Sequence, residues 1–367
     1  MRAVAAVLLT CLFLAGCSDD EGGNRDGDGR PVTPGETAKP SPPRTDSTGP
    51  KVVDTIATGL DTPWGVAFLP NGAAIVTERD SGRVSEILGH GVRTIGHIDE
   101  TSAQGEAGLL GVAVSPSFDS DHRLFFYVST AEDNRILRAD YEGRRLGAAE
   151  PILTGIPNGF IHDGGRMVFG PDGYLYVSTG ETGDGDLAQD RGSLGGKILR
   201  ITPDGAPAPG NPDRGSPVWT WGHRNVQGLA FDAEERLWAS EFGSTEFDEL
   251  NLIQKGSNYG WPIVEGNGEG SKYTNPHVVW RTEEASPSGL AFRDGELWMA
   301  SLRGERLWRI TVRDGRAGKP VDYFVGAYGR LRTVVVAPDG DLWVTTSNRD
   351  SRGDPVEGDD RILVVRP

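Results

Sequence analysis

Ser288-Gly289-Leu290-Ala291-Phe292, then Asp294-Gly295, then Leu297-Trp298-Met299-Ala300, reads as two buried strands joined by a tight hairpin. The same pattern recurs along the chain. Trp64-Gly65-Val66-Ala67-Phe68 is followed by Pro70-Asn71-Gly72 and Ala74-Ile75-Val76-Thr77. Leu110-Gly111-Val112-Ala113-Val114 precedes Leu124-Phe125-Phe126-Tyr127-Val128. Arg166-Met167-Val168-Phe169, Pro171-Asp172-Gly173 and Leu175-Tyr176-Val177-Ser178 form a third unit. Gln227-Gly228-Leu229-Ala230-Phe231 with Leu237-Trp238-Ala239-Ser240, and Thr333-Val334-Val335-Val336 with Pro338-Asp339-Gly340 and Leu342-Trp343-Val344-Thr345, complete six. A third strand often follows, as at 83–87 and 307–310. Starts about 45 to 60 residues apart are the spacing of propeller blades. The sequence therefore predicts an all-β, six-bladed β-propeller with four-stranded antiparallel blades over 51–367, its repeated Trp and Phe residues packing blade on blade.

Composition agrees. The 367 residues include 52 Gly and 24 Pro, too much punctuation for a helical bundle and far from collagen or a polytopic membrane protein. A net charge of −16 gives no electrostatic footprint for nucleic acid. Its plainest reading is solubility.

Both cysteines, Cys11 and Cys17, lie at the start of the chain. Arg2, the apolar run 3–14 and Leu14-Ala15-Gly16-Cys17 form a basic, an apolar and a small-residue region in succession. The apolar run is too short to span a bilayer. Its ending resembles a bacterial lipobox, so 1–16 is expected to be a lipoprotein signal peptide and Cys17 the lipidated residue. Residues 18–50 hold six prolines and almost no apolar side chains. They read as a solvated tether of roughly 30 Å reach. The expected location is extracytoplasmic, with the membrane touched through the N-terminal lipid only.

In each unit the start of the first strand and the end of the second lie at one end of the hairpin, so all blades bring these positions to one channel mouth. Before first strands stand Glu106, His162, Arg224-Asn225 with Gln227, and Arg330 with Arg332. After second strands stand Glu78-Arg79, Glu181, Glu241, Arg303 and Asn348-Arg349. Packing does not call for charge there, since the first unit carries Thr62-Pro63-Trp64. Arginines sharing one mouth repel unless an anion lies between them, and their forks suit carboxylate or phosphate. A small polyanion beside one histidine is expected, with one or two of the arginines pairing instead with Glu106, Glu181 or Glu241. An imidazole such as His162 is suited to taking a hydroxyl proton near neutral pH. His223 is expected to orient the Arg224-Asn225 loop. The segment from Glu241 through Gly243-Ser244, Asp248-Glu249 and Asn258-Tyr259 is rich in hard oxygen donors of the kind that hold Ca²⁺, though not in EF-hand spacing.

These residues resemble the soluble quinoprotein glucose/sorbosone dehydrogenases, nearest to the bacterial aldose sugar dehydrogenases. The resemblance covers roughly 51–367. It is carried by Gly108-Leu109-Leu110-Gly111, His162-Asp163-Gly164-Gly165-Arg166, Leu194-Gly195-Gly196-Lys197-Ile198-Leu199-Arg200, Gly222-His223-Arg224-Asn225-Val226-Gln227-Gly228-Leu229, Asp248-Glu249-Leu250-Asn251 and Gly256-Ser257-Asn258-Tyr259-Gly260-Trp261-Pro262. It implies pyrroloquinoline quinone (PQQ), a tricarboxylate, and Ca²⁺ at the channel mouth. It implies His162 as the base on the sugar C1 hydroxyl and Arg224 beside the quinone. Arg224, Asn225, Gln227, Arg303, Arg330 and Arg332 look like cofactor contacts. The carbonyls of Gly243 and Ser244 look like ligands of one calcium, and Glu249 and Tyr259 match a second, structural one. Glu106 and Glu181 are the expected substrate contacts. Two departures stand out: Arg303 where glucose-specific relatives have Lys, and Glu106 where characterised relatives typically have Gln. The loops that shape a glucose pocket also look short, which points to broad aldose specificity with an external electron acceptor. The competing reading is a catalytically inactive, lipid-anchored propeller that binds a carbohydrate or protein partner. A Ca²⁺-dependent lactonase would need carboxylates and Asn around a metal in the channel, against the arginine-rich mouth.

Overall fold

The computed structural model describes residues 49–367. The expected signal peptide, Cys17 and nearly all of the tether lie outside the described residues. Where the sequence carries Pro-Asn/Asp-Gly, the chain closes a hairpin with glycine in the left-handed region. Gly72, Gly173 and Gly340 have φ of 84°, 78° and 88°. Gly72, Gly173 and Gly340 also donate back to Leu69, Gly170 and Ala337. The fifth blade uses the two-residue turn Asp294-Gly295, both at positive φ, between paired Arg293 and Glu296. In the fourth blade Glu235, φ 62°, occupies the position that glycine holds in blades 1, 3 and 6.

Six antiparallel sheets result, and their inner-to-outer order follows the chain. Blade 1 is Pro63–Phe68, Ala74–Glu78, Arg83–Leu88 and Gly91–His97. Blade 2 is Leu109–Val114, Arg123–Ser129, Asn134–Glu142 and Arg145–Ile156. Blade 3 is Met167–Phe169, Leu175–Ser178, Lys197–Ile201 and Val218–Trp221. Blade 4 is Asn225–Phe231, Leu237–Phe242, Phe247–Ile253 and Val278–Arg281. Blade 5 is Pro287–Arg293, Glu296–Ser301 and Arg306–Arg313, with the short strands Arg316–Ala317 and Val321–Tyr323 both pairing with the third. Blade 6 is Leu331–Val336, Leu342–Thr346 and Ile362–Arg366, completed by Lys51–Ala57. That last pairing joins the two ends of the propeller within one sheet. The repeat reading began its first unit at Trp64 and gave 51–57 no place in a blade.

The hydrophobic residues fall into six clusters, one for each blade interface. Three interfaces share one device. An aromatic of the second strand meets, edge to face, the aromatic ending the next blade's inner strand. These are Phe125 with Phe169 at 5.2 Å, Tyr176 with Phe231 at 5.2 Å and Trp343 with Phe68 at 4.9 Å.

Five inner strands carry a register shift near their start, as between Leu109 and Val112 or Pro287 and Leu290. Several carbonyls there accept hydroxyls from neighbouring blades. Thr77 Oγ1 donates to Leu110 O at 2.5 Å, Ser178 Oγ to Val226 O at 2.8 Å and Ser240 Oγ to Ser288 O at 2.6 Å; ahead of the unshifted third inner strand, Tyr127 Oη donates to Asp163 O at 2.8 Å. The inner strands approach so closely that a Cβ on Gly111 would lie 2.2 Å from Gly165 O.

Gly111→Ala is therefore expected to lower stability by about 1–3 kcal/mol through overpacking against backbone. Glu235→Gly relieves a left-handed side chain and is expected to raise it by about 1 kcal/mol. Denaturant melts of the two variants check both signs.

Candidate active site

One end of the channel opens into a cavity of about 390 Å³. Loops entering the inner strands bring Glu106, His162, Arg224 and Arg330 to it, and the strands themselves add Asn225, Gln227 and Arg332. Segments leaving second strands bring Arg79, Gly243, Ser244, Arg303, Asp350 and Arg352. The sequence placed nine of these side chains at the mouth: Arg79, Glu106, His162, Arg224, Asn225, Gln227, Arg303, Arg330 and Arg332.

His162 sits at φ 60°, its carbonyl against Gly180, where a Cβ would lie 1.7 Å from that oxygen. Only glycine at 180 lets the loop take this path. The His162 Nδ1 is 2.6 Å from Glu181 Oε1. An ionised carboxylate only accepts, so Nδ1 carries the hydrogen and Nε2 is the basic nitrogen. Glu181, expected as a substrate contact, is buried behind His162 and does not line the cavity. Glu106 lines the cavity, and its Oε2 accepts the His162 backbone N–H at 3.0 Å. Its Oε1 accepts from Arg352 Nη1 at 2.7 Å. Burial works against its charge, but that N–H and Arg352 outweigh it and hold the Glu106 pKa below the usual range.

Of the carboxylates expected to pair with mouth arginines, Glu106 does so, with Arg352, whereas Glu181 and Glu241 hold histidines instead. Arg330 and Arg332 both donate to Asp350 Oδ2, at 3.0 and 3.2 Å from their Nη2 atoms. Burial of Asp350 is outweighed by these two cations, and its pKa is lowered. Glu241 holds His223 Nδ1 at 2.8 Å and the Arg224 backbone N–H at 2.5 Å, so it and His223 together fix the Arg224 loop. The guanidiniums of Arg224 and Arg303 make no ion pair or hydrogen bond among the described residues, and Arg224 lies 5.4 Å over the Trp261 ring. Desolvation lowers the Arg224 pKa. Asn225 Oδ1 accepts from Gly164 N, and Gln227 Oε1 from Ser288 and Arg332. Both carboxamides thereby spend their acceptor on protein and leave their NH₂ groups for the cavity. Six arginines line it against three carboxylates, Glu106, Asp248 and Asp350, while Arg79 also pairs with Asp80 outside it.

Asp350, Arg352, Asp248 and Glu265 took no place in the sequence-derived mouth. Asp350 and Arg352 follow Arg349 by one and three residues, beyond the repeat register. Glu265 Oε1 accepts the successive N–H groups of Ser244, Thr245, Glu246 and Phe247 at 2.7–3.0 Å. No repeat marks it.

The donors expected for calcium divide. The carbonyl oxygens of Gly243 and Ser244 accept no hydrogen bond among the described residues, and both residues line the cavity. They fit a hard cation. Glu249 borders a small separate hollow with Glu241, Tyr259 and Glu265. Burial and the Glu241 charge raise its pKa, a strain that a cation there relieves. The Tyr259 hydroxyl does not fit: it donates to Leu252 O at 2.7 Å and accepts from Gln254 N at 2.9 Å. Only its backbone carbonyl is free to ligate. Among the described residues no group of three or more His, Cys, Asp or Glu side chains forms a metal cage, so backbone oxygens have to share the work.

Comparison with known proteins follows this geometry. Residues 60–356 match the family model described as Glucose / Sorbosone dehydrogenase. The chain belongs to that family. It is 52% identical to the aldose sugar dehydrogenase of Streptomyces coelicolor in its PQQ-bound form, with a TM-score of 0.85 over 87% of this chain and 98% of that one. It is 29% identical to the aldose sugar dehydrogenase YliI of Escherichia coli over 80% of this chain and 89% of that protein. It is 31% identical to quinoprotein glucose dehydrogenase B of Acinetobacter calcoaceticus over 66% of this chain and 58% of that protein. The family's members are dehydrogenases, and so this chain is read as an oxidoreductase.

Behind His162, Asp163 is 1% exposed. Its Oδ1 accepts from Asn134 and Gly159, while Oδ2 is buried without a partner. Burial first, then the Glu106 charge, pushes its pKa from 3.8 up to about 7. Between those values the folded protein holds a proton that the unfolded chain releases, so this group's contribution falls as pH rises. The Tm of Asp163→Asn minus that of the parent should therefore climb from pH 4 to pH 8. A difference flat across that range would contradict a protonated Asp163.

Proposed function

We propose that this chain oxidises aldose sugars at C1 to the lactone, with PQQ and Ca²⁺ bound in the cavity and electrons passed to an external acceptor. The observation that carries the reading is the lining: arginine forks and amide NH₂ groups converge with more cations than carboxylates to meet them. A tricarboxylate suits that surplus, and the remaining neutral space suits a sugar. Arg224, Asn225, Gln227, Arg303, Arg330 and Arg332 would hold PQQ, and the Gly243 and Ser244 carbonyls would hold Ca²⁺. Bound together, these groups supply a Lewis-acid-polarised quinone able to take a hydride from the sugar C1.

The chain supplies the rest. His162 Nε2 takes the proton from the C1 hydroxyl, while Glu181 on Nδ1 holds the ring's tautomer and stabilises the imidazolium that forms. Arg224 carries its cation, free of protein anions, where negative charge grows on the oxidant. Glu106 is tied to the His162 amide and to Arg352, and it presents its carboxylate edge to the sugar. That tie keeps Glu106 ionised, unlike a neutral amide at the same position. The acceptor is external, and the short loops expected from the sequence fit broad aldose use. Glu249 and the Tyr259 carbonyl would serve a structural Ca²⁺. Cys17 is the proposed lipid attachment point, placing the enzyme outside the cytoplasm on the cell membrane.

The test is dye reduction by residues 51–367 with PQQ, Ca²⁺ and a panel of aldoses. His162→Ala should cost about 10²–10⁴ in kcat. Glu181→Gln should lose less and shift the pH profile. Absence of both turnover and saturable PQQ binding would leave a binding propeller instead.

A further inference from the structure

Arg166 lies in the channel beneath the cofactor cavity and is 8% exposed. Its Nε donates to Gln227 O at 2.8 Å and its Nη2 to Thr333 Oγ1 at 3.1 Å. Its guanidinium carbon lies 4.1 Å over the Trp64 ring. A side chain from blade 3 thus touches blades 4, 6 and 1. It has no carboxylate within 4.0 Å among the described residues, and its Nη1 has no protein partner. An unpaired buried cation is costly, and in folded proteins such charges find a counter-ion. The buried Arg332 nearby adds like-charge repulsion. Burial first and Arg332 second bring the Arg166 pKa down to about 9.

Arg166 borders one of two hollows along the channel. Arg166 does not line the cofactor cavity. It does line a hollow of about 220 Å³ formed by the far ends of the inner strands. The other walls of that hollow are apolar, among them Leu229, Phe231, Leu290, Phe292 and Val334. One buried cation in an otherwise apolar pocket is the arrangement that recognises a single negative charge on a small apolar body.

We infer that the end of the channel opposite the cofactor cavity is a second binding site, for a small monoanion held by Arg166. An aryl or short-chain monocarboxylate places its charge on the free Nη1 and its body against the apolar wall. A halide supplies the same charge without the body. The site stands apart from the PQQ reading, because none of its apolar walls touches the cofactor cavity.

Two arms separate the sources of charge. Crystals of the full chain are soaked in sodium bromide or in sodium 4-bromobenzoate, and the bromine is located by anomalous scattering. Titration calorimetry in solution, with and without PQQ and Ca²⁺, measures saturable binding. The expected result is 4-bromobenzoate in the hollow with its carboxylate on Arg166. Affinity should fall at least about tenfold in Arg166→Gln, as for loss of a charge-assisted bond. Bromide alone at Arg166 supports the anion site with a halide as its occupant. No bromine at Arg166 in either soak, or affinity unchanged in Arg166→Gln, overturns the inference. Should that variant fail to fold, the maps of the unsubstituted protein decide the matter. Binding that persists when PQQ fails to bind separates this site from the proposed enzymatic function.

Discussion

Six strands cannot converge on one axis unless something gives way between them, and in this propeller it is the side chain at the bulge. Gly65, Gly111, Gly228 and Gly289 each lie so near an adjacent inner strand that a Cβ would fall within 3.0 Å of its backbone. The bulge that accompanies these glycines removes backbone groups from the regular ladder, and buried carbonyls need partners. Hydroxyls of Thr77, Ser178 and Ser240 answer that need from the preceding second strands. A polar belt therefore circles the channel. Below it the strands pair regularly and pack their aromatics between blades. Above it the chain is released from sheet geometry, and its side chains turn to the cavity.

This division explains what the sequence made legible. The hairpins repeat because every blade meets the same packing demand, so blade number and strand order are written six times, and the edge-to-face aromatic pair at three of the interfaces. Site residues at fixed offsets from a strand end, such as His162 and Arg224, were legible through that repetition. Others were not. Glu181 lies three residues past Ser178 and Glu241 one past the matching Ser240, yet neither lines the cavity: one turns to His162 and the other to His223. A register offset fixes height in the channel but not the direction of a side chain after its strand ends. The bond from Arg352 to Glu106 joins residues 246 apart, and Glu265 reaches its loop across an insertion of blade 4 alone. No local pattern encodes such partners. The family resemblance supplied the cofactor, whereas the residues alone reached only a polyanion beside a histidine.

Lys51–Ala57 belongs to blade 6 because the last blade ends one strand short, and an open edge would expose unpaired backbone. The start of the folded domain is thereby fixed beside its end. It lies immediately after the segment read as a tether, so a pull on that segment would act on the strand that shuts the propeller.

The chain carries −16 overall, yet gathers six arginines at one cavity. Long-range attraction cannot be what selects a polyanion here, since the outer surface opposes its approach and solution ions screen that opposition beyond about 8 Å. Selection has to occur at contact. Asp350 holds Arg330 and Arg332 in place, Glu106 holds Arg352, and Arg224 and Arg303 are left without protein anions. The paired arginines are pre-oriented, and the unpaired ones supply the charge that a ligand must satisfy. An anion that matches their positions gains several short, dry contacts at once, whereas one of equal charge and different shape gains few. Recognition by this site is thus a matter of placement, and buried Asp350 with half-buried Glu106 are what hold that placement.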